Sequence, residues 1–239
     1  WIRDKRAPGG VFGTWLQTRH KTVEDVRIIL RTMQSVFPHF AVFELAEGDT
    51  LLVMSNDPLR IDVPFLLKRH ADLAPAMANI NLTSPWSIVS RLALGEASSE
   101  AYLAGARINT DDMPVIEFST PRSLNIGLKG LEVWDDLIGH APPVPDVPLE
   151  GARPGEAWLF RAYRADHLRW YDQALEALDR AERAGAAADP YLRARILFRL
   201  KRYEEALELA DRLPASPRQA LLKAGALSFL HRYSELEQH

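Results

Sequence analysis

The stretch from Pro8 to Asn56 constrains the fold more than any other part of the chain. After a Pro-Gly-Gly turn come an apolar run, a segment with helical periodicity and two further apolar runs, at 11–16, 23–36, 40–45 and 50–55. Only a short glycine-containing loop separates the last two runs, so we predict that they form a β-hairpin. Strand, helix, strand and hairpin partner is the order in which a doubly wound α/β sheet of the nucleotide-binding kind ends.

The strands that open such a sheet are not found before this stretch. No glycine-rich phosphate loop precedes Pro8, although the first strands of this fold carry that loop and the acidic residue that holds the ribose. The chain begins at Trp1 without an initiator methionine, and residues 1–6 have the pattern of a helix end. We therefore expect upstream sequence. We interpret the α/β part as the C-terminal half of a Rossmann-like, methyltransferase-type sheet that binds no cofactor alone.

Composition excludes several classes of function. The formal net charge of -3 gives no electrostatic attraction to nucleic acid. The cysteine count of 0 excludes disulfides, thiol nucleophiles and cysteine zinc sites. The 7 His residues form no helical i,i+4 pair, so we expect no metal site. No apolar run reaches the ~20 residues of a membrane span. We expect a cytoplasmic protein, or one held at the cytoplasmic face of a membrane only through upstream segments.

A helical cap over or beside the sheet edge is predicted for about 57–105. Asp62 can cap the first helix of this region. Ser84 at the N-cap, Pro85 at the first helical position and Gly95 just past the end frame a second helix.

The polar stretch after this cap contains Asn109, Asp111 and Asp112. One interpretation is a carboxylate pair that holds a polyamine or a metal. The other, which we favour, is a structural turn in which an Asp side chain satisfies backbone N–H groups. In that case the stretch returns the chain to the sheet domain.

A short strand is predicted at 115–119, directly after this turn. Glu117 and Arg122 are expected to pair within the same structural motif, and a catalytic role for them is the alternative. A helix follows at 128–138, and the proline-rich run 142–148 favours a semi-stiff polyproline spacer.

The C-terminal part repeats itself. Three similar tetrapeptides recur at a period close to the ~34 residues of tetratricopeptide units: Leu168-Arg169-Trp170-Tyr171, Leu200-Lys201-Arg202-Tyr203 and Leu230-His231-Arg232-Tyr233. Ala174 and Ala206 follow the first two tyrosines where helices must approach closely, whereas Leu236 stands at that position in the third unit. We predict all-α tetratricopeptide-like repeats, with the third unit as a terminal cap.

Three domains follow from these patterns. They are an α/β domain over 1–122, a short helix and linker over 123–154, and the repeats over 155–239. The repeats are expected to bind a protein or peptide partner. Arg195 and Arg199 share one helix face while Arg193 lies off it. Either Arg195 and Arg199 clamp an acidic peptide by charge-assisted hydrogen bonds, or they form only a solvated face.

The first ~140 residues resemble the C-terminal part of the spermidine synthase-like (polyamine aminopropyltransferase) family, especially the bacterial members fused to membrane segments. The resemblance rests on four stretches, which are Pro8–Gln17, Ser35–Phe40, Asp49–Ser55 and above all the Asn-Thr-Asp-Asp run and Pro-Arg ending of Ile108–Arg122. No single stretch is specific, but their order and spacing together are.

The resemblance implies transfer of an aminopropyl group from decarboxylated S-adenosylmethionine to a diamine such as putrescine. Carboxylates in such a site hold the cationic diamine and leave one amine neutral as the nucleophile. In the family these acidic residues precede the position of Pro8, so no catalytic residue is expected in this chain. The family tyrosine after the next strand has no counterpart in the 46–49 loop.

The substrate-binding residues implied here are Thr14, Trp15 and Gln17. A family glutamine that touches the polyamine matches Gln17 in one alignment and Thr14 in another. Trp15 and Gln17 then line the pocket at the end of a strand, and the alternative is a core tryptophan and a surface glutamine. Two other functions stay open, a non-catalytic assembly protein and an S-adenosylmethionine-dependent methyltransferase.

Overall fold

The computed structural model describes residues 7–46, 48–80, 82–126, 131–187 and 189–232. The chain divides into two compact units, the first made of Trp1–Leu66 and Arg91–Glu150 and the second of Leu67–Ser90 and Gly151–His239. The predicted helix end at 1–6 and the tyrosine of the third repeat lie outside the described residues. The cap predicted over 57–105 is thus divided between the two units.

The strands form two small sheets in the first unit. They are β1 (Val11–Gln17), β2 (His39–Ala46), β3 (Asp49–Ser55), β4 (Ile61–Asp62), β5 (Leu92–Leu94) and β6 (Leu149–Glu150). The larger sheet has the order β1-β3-β2-β5, and every neighbouring pair in it is antiparallel. Since β1 and β2 are both antiparallel to β3, they run in the same direction with β3 between them. In the second sheet β4 and β6 pair in parallel.

Twelve helices are described. Those of the first half of the chain are α1 (Val23–Val36), α2 (Val63–Asp72), α3 (Ala74–Asn79), α4 (Trp86–Val89), α5 (Glu96–Tyr102), α6 (Val115–Ile126) and α7 (Leu131–Gly139). Those of the second half are α8 (Pro154–His167), α9 (Tyr171–Arg183), α10 (Pro190–Arg199), α11 (Tyr203–Asp211) and α12 (Pro217–Phe229). None of these described helices is long and apolar enough to cross a membrane.

Helix α1 has the predicted bounds because its N-terminus is fixed locally. The Thr22 hydroxyl accepts a hydrogen bond from the Asp25 N–H, and the Asp25 carboxylate accepts one from the Thr22 N–H, both at 3.1 Å. This reciprocal capping box satisfies two N–H groups that a helix start leaves without partners. One face of α1 then packs on the sheet through Val26 and Leu30, which are buried in the main core with Phe40 and Met54.

The two faces of strand β1 differ in their exposure. Within the described residues it lies at the end of its sheet and pairs with β3 alone. Its exposure alternates along the strand. Phe12 and Leu16 pack against the main core, whereas Trp15 on the other face is 60% exposed. The described helices therefore cover only one face of β1.

The prediction of a second cap helix that runs from Ser84 to just before Gly95 is wrong. Helix α4 ends after one turn, Leu92–Leu94 is a strand, and Gly95 begins α5 rather than ending a helix. The reason is a distant contact, because the Asp146 carboxylate accepts a hydrogen bond from the Ser98 N–H at 2.7 Å. A Cβ on Gly95 would lie 2.1 Å from Asp146 Oδ1, so the contact requires glycine there.

The proline-rich run is not a free spacer. Val147 is buried beside Ala41 and Leu92 of the sheet, and the Pro148 carbonyl accepts a hydrogen bond from the Ile61 N–H at 2.9 Å. Burial of Val147 removes apolar surface from water, so this run belongs to the first unit.

The second unit contains helix pairs with equivalent turns. Helices α8, α10 and α12 are each followed, two residues after their last residue, by a residue with positive φ. These residues are Arg169 (63°), Lys201 (63°) and His231 (57°). The N–H of the next residue returns to a carbonyl five positions earlier, in the bonds Trp170–Ala165, Arg202–Leu197 and Arg232–Leu227 of 2.7, 2.9 and 3.0 Å. These are three Schellman turns in equivalent positions. Ala174 and Ala206 are fully buried, as predicted for the positions where helices approach closely.

Replacing Lys201 with glycine should raise the free energy of unfolding by roughly 0.5–1 kcal/mol. The left-handed conformation costs a non-glycine residue about 1–2 kcal/mol, part of which is offset by the greater freedom of glycine in the unfolded chain. Urea unfolding followed by circular dichroism measures the change. The matched control is Gly185→Lys, because α9 ends in the same kind of turn with Gly185 at φ 80° and no atom near its Cβ position. This variant should lose a similar amount, and destabilisation by Lys201→Gly would contradict the assignment.

Candidate functional site

The candidate site lies at the C-terminal end of β1. Trp15 and Gln17 are exposed on one face of the strand, and Thr14 is half-buried on the opposite face with the core residues. The structure therefore brings two of the three predicted substrate-binding residues together and separates Thr14 from them. Of the alternative of a core tryptophan and a surface glutamine, the glutamine part agrees with the structure and the tryptophan part does not, because Trp15 is exposed.

The strand order adds Asp49 to this site, a residue that the sequence interpretation missed. In the register of β1 and β3, Gln17 lies opposite Asp49 and Trp15 lies opposite Leu51. Side chains of directly opposite residues in an antiparallel pair share a face and have Cβ atoms about 4.5–5.5 Å apart. The Asp49 carboxylate thus lies beside the Gln17 amide. Asp49 Oδ1 is buried and has no hydrogen-bond partner among the described residues.

This end of the β1–β3 pair is held by backbone and hydroxyl contacts. The Thr18 N–H donates to the Gly48 carbonyl at 2.7 Å, and the Thr50 hydroxyl donates to the Leu16 carbonyl at 3.1 Å. Gly48 has a φ of 87°, which a tight loop requires and other residues rarely adopt. These contacts fix Gln17 and Asp49 in register.

A large cavity lies elsewhere in the first unit. It has a volume of about 910 Å³ and is lined by the turn at 7–9 and by residues 55–62. Val11 and Ser55, which pair at the other end of β1 and β3, both line it. It is therefore at the opposite end of the strands from Gln17 and Asp49.

The stretch after the cap contains a helix where a strand was predicted, so that prediction is wrong. Val115–Ile126 forms α6, and the Asn109 side-chain carbonyl accepts a hydrogen bond from the Ile116 N–H at 3.1 Å. The Asn109 N–H donates to Thr32 Oγ1 of α1 at 2.8 Å. Asn109 therefore caps one helix and joins it to another. This tertiary capping, rather than local preference, makes the segment helical.

The two aspartates of this turn do not make the hydrogen bonds predicted for them. Asp111 and Asp112 are exposed and make no hydrogen bond in the described part of the chain. Glu117 and Arg122 are exposed on α6, and within the described residues no ion pair joins them. The turn is held instead by Asn109 and by backbone bonds between Thr110 and Met113.

A second contact joins α6 to α1. The Asp25 carboxylate, which already caps α1, also hydrogen-bonds to the Ser119 side chain of α6. Burial alone raises the pKa of Asp25, but the hydrogen bonds from Ser119 and Thr22 outweigh it and hold the pKa below its usual value. The ionised carboxylate is thus favoured in the folded state. The stability that it contributes is present above about pH 4 and is lost as the pH falls through the lower folded-state pKa.

Replacing Asn109 with alanine should lower the free energy of unfolding by about 1–2 kcal/mol, because the Ile116 N–H loses its cap. Asp112→Asn should change it by less than ~0.5 kcal/mol, as for exposed residues without contacts. Urea unfolding of both variants measures this. If Asp112→Asn is the more destabilising of the two, the assignment of Asn109 as the organising residue is wrong.

The predicted arginine pair of the repeats is only partly available to a partner. Arg195 forms an ion pair with Asp166 of α8, whose side chain is 10% exposed. Burial raises the pKa of Asp166, and the neighbouring Arg195 opposes that shift. Arg193 pairs with Asp179 at 2.8 Å and with Glu182 of α9. Arg195 therefore compensates an internal carboxylate, while Arg199 is exposed on the same helix.

No protein-family model, curated protein or solved structure matches this chain. No group of three or more His, Asp or Glu side chains within the described ranges could hold a metal ion.

Proposed function

We propose that the chain carries the C-terminal part of a spermidine synthase-like transferase, which moves an aminopropyl group from decarboxylated S-adenosylmethionine to a diamine, together with tetratricopeptide-like repeats that bind a protein partner. In this proposal the nucleotide-binding turn and the catalytic carboxylates come from another part of the protein.

The strand order supports the fold part of the proposal. β1 and β2 are parallel, are joined through α1, and are separated by the antiparallel β3. This is the arrangement expected where a methyltransferase-type sheet of the resembled family ends. The outer edge of β1 leaves room for the parallel strands that open such a sheet, and its C-terminal end is where ligands bind in open α/β sheets.

The observation that carries the function is the placement of Asp49 beside Gln17. A diamine needs a carboxylate for a charged amine, a hydrogen-bond acceptor for its N–H groups and apolar surface for its methylene chain. Asp49, Gln17 and Trp15 supply these on one face of the β1–β3 pair, and the Trp15 ring can also bind a cation through its π face.

The proposed reaction is nucleophilic displacement at carbon. The neutral amine of the diamine forms a bond to the carbon next to the sulfonium, the C–S bond breaks, and its electron pair passes to sulfur. The amine then gives up a proton to a base. By holding the distal amine as its ammonium form, Asp49 orients the other amine toward the donor and positions it for attack.

The repeats support the partner-binding part. Helix pairs that stack through equivalent turns form an extended surface that each pair cannot form alone. Arg199 is the exposed cation of the predicted pair and is the better candidate for contact with an acidic partner.

Calorimetric titration of putrescine into the full-length protein tests the substrate assignment. Asp49→Asn should weaken binding at least tenfold, because the charge-assisted hydrogen bond to the ammonium group is lost. Glu100→Gln is the matched control, since Glu100 is an exposed carboxylate of α5. Equal affinity of the wild type, Asp49→Asn and Glu100→Gln would overturn the assignment.

A further inference from the structure

The segment 82–90 packs with the helical repeats although it is far from them in sequence. It lies in the compact unit formed by Leu67–Ser90 and Gly151–His239. Its short helix α4 packs against α8. Trp86 is 4% exposed and Val89 is also buried. A one-turn helix does not bury a tryptophan by itself, so the repeat unit supplies the surface that covers it.

Polar contacts extend this packing to the last described helix. Arg218 of α12 donates a hydrogen bond from Nη1 to Thr83 Oγ1 at 3.2 Å. The same guanidinium lies 5.7 Å from the ring centre of Tyr191 on α10. The segment therefore contacts a residue that also touches α10.

A third contact joins α8 to the start of α10. The Tyr163 hydroxyl of α8 donates to Asp189 Oδ2 at 2.8 Å, and Asp189 caps the start of α10. Burial and Asp189 raise the pKa of Tyr163, and the Ser84 side chain at this hydroxyl opposes the shift. Thr83 therefore contacts α12 and the helix α4 contacts α8, and through Arg218 and Asp189 the segment adjoins the start of α10. These are the first helices of successive pairs, and the surface that α8, α10 and α12 share is called the inner face of the repeats below.

The segment has the chemistry of a peptide ligand. Pro85 fixes its own φ, at -59°, and so lowers the entropy lost on docking. Tryptophan is enriched among the residues that anchor binding interfaces. The Leu82 carbonyl is hydrogen-bonded to His70 Nε2 at 2.9 Å, which holds the beginning of the segment.

We propose that the segment 82–90 is an internal ligand of the inner face of the repeats, and that this face recognises a peptide with a hydroxyl residue, a proline and an aromatic anchor in succession. The inference rests on the proposed role of the repeats as a peptide-binding module. It identifies the segment that occupies this surface and the kind of peptide that the surface selects. An external partner must displace the internal segment, whose tether gives it an effective concentration of order mM.

A fluorescently labelled peptide with the sequence of residues 82–90 tests this in the complete chain. Wild-type protein at micromolar concentration should not bind it, because the internal copy occupies the face. The Trp86→Ala variant should bind it at least tenfold more tightly than wild type, as measured by fluorescence anisotropy. A peptide carrying alanine in place of its tryptophan should not bind either protein.

Two further variants make the result decisive. Ile80→Ala removes an apolar side chain that is 62% exposed just before the segment, and it should behave as wild type. Thr83→Ala removes the contact with Arg218 and should allow weaker peptide binding than Trp86→Ala. Failure of both Trp86→Ala and Thr83→Ala to bind the peptide, when both variants are folded, would overturn the proposal. So would unfolding of the repeats in Trp86→Ala, because the segment would then be part of their core. The putrescine titration is independent of either outcome.

Discussion

Replacing Phe40 with alanine should lower the free energy of unfolding of the first unit by about 3–5 kcal/mol. Phe40 is 1% exposed and lies in the main core between α1 and the sheet. Truncation removes the buried ring and leaves a cavity that the neighbouring side chains cannot fill. Urea denaturation followed by circular dichroism measures the loss.

Trp15→Ala is the matched control for this prediction. It removes a larger aromatic ring from the same sheet, but Trp15 is exposed on the face away from the core. We expect a change below ~1 kcal/mol. A loss equal to that of Phe40→Ala would mean that Trp15 is buried and is not available for a substrate.

Replacing Gly155 with valine should destabilise the second unit by roughly 2–3 kcal/mol. A Cβ at this position would lie 2.7 Å from the Ala186 Cβ and 3.0 Å from the Ala186 nitrogen. The start of α8 and the turn after α9 would have to separate, and overpacking of this kind is costly. Gly139→Val is the control, because nothing lies within 4 Å of its Cβ position. Equal stability of Gly155→Val and wild type would show that α8 and α9 do not pack as described.

The elements that could be predicted from the sequence are those that local signals determine. The capping box of Thr22 and Asp25 fixed the start of α1, and the alternation of apolar runs with a glycine loop gave the hairpin. The recurring Leu-x-x-Tyr pattern located the turns of the helix pairs. In each case the residues that decide the structure are within a few positions of one another.

The wrong predictions concern segments whose secondary structure is determined by residues outside the segment. The run 115–119 is too short for its period to distinguish strand from helix, and the contact between Asn109 and the Ile116 N–H decides for helix. Gly95 begins a helix because Asp146 caps it from far along the chain. Trp86 is buried and its helix α4 packs against α8, and no local signal in the sequence predicted this contact.

Only part of the candidate site was predicted, because the remaining residue comes from another strand. Trp15 and Gln17 were implied by the family resemblance and by their position at the end of a strand. Asp49 was interpreted as a loop residue, because its place opposite Gln17 depends on β3 pairing with β1 as well as with β2. A hairpin sequence does not contain that information.

The most direct measurement is product analysis with the full-length protein, decarboxylated S-adenosylmethionine and putrescine. The account predicts that mass spectrometry detects putrescine extended by one aminopropyl group. It also predicts that Asp49→Asn lowers kcat/KM at least tenfold through KM. Methyl transfer from S-adenosylmethionine, or no aminopropyl product from a protein that binds both substrates, would contradict the account.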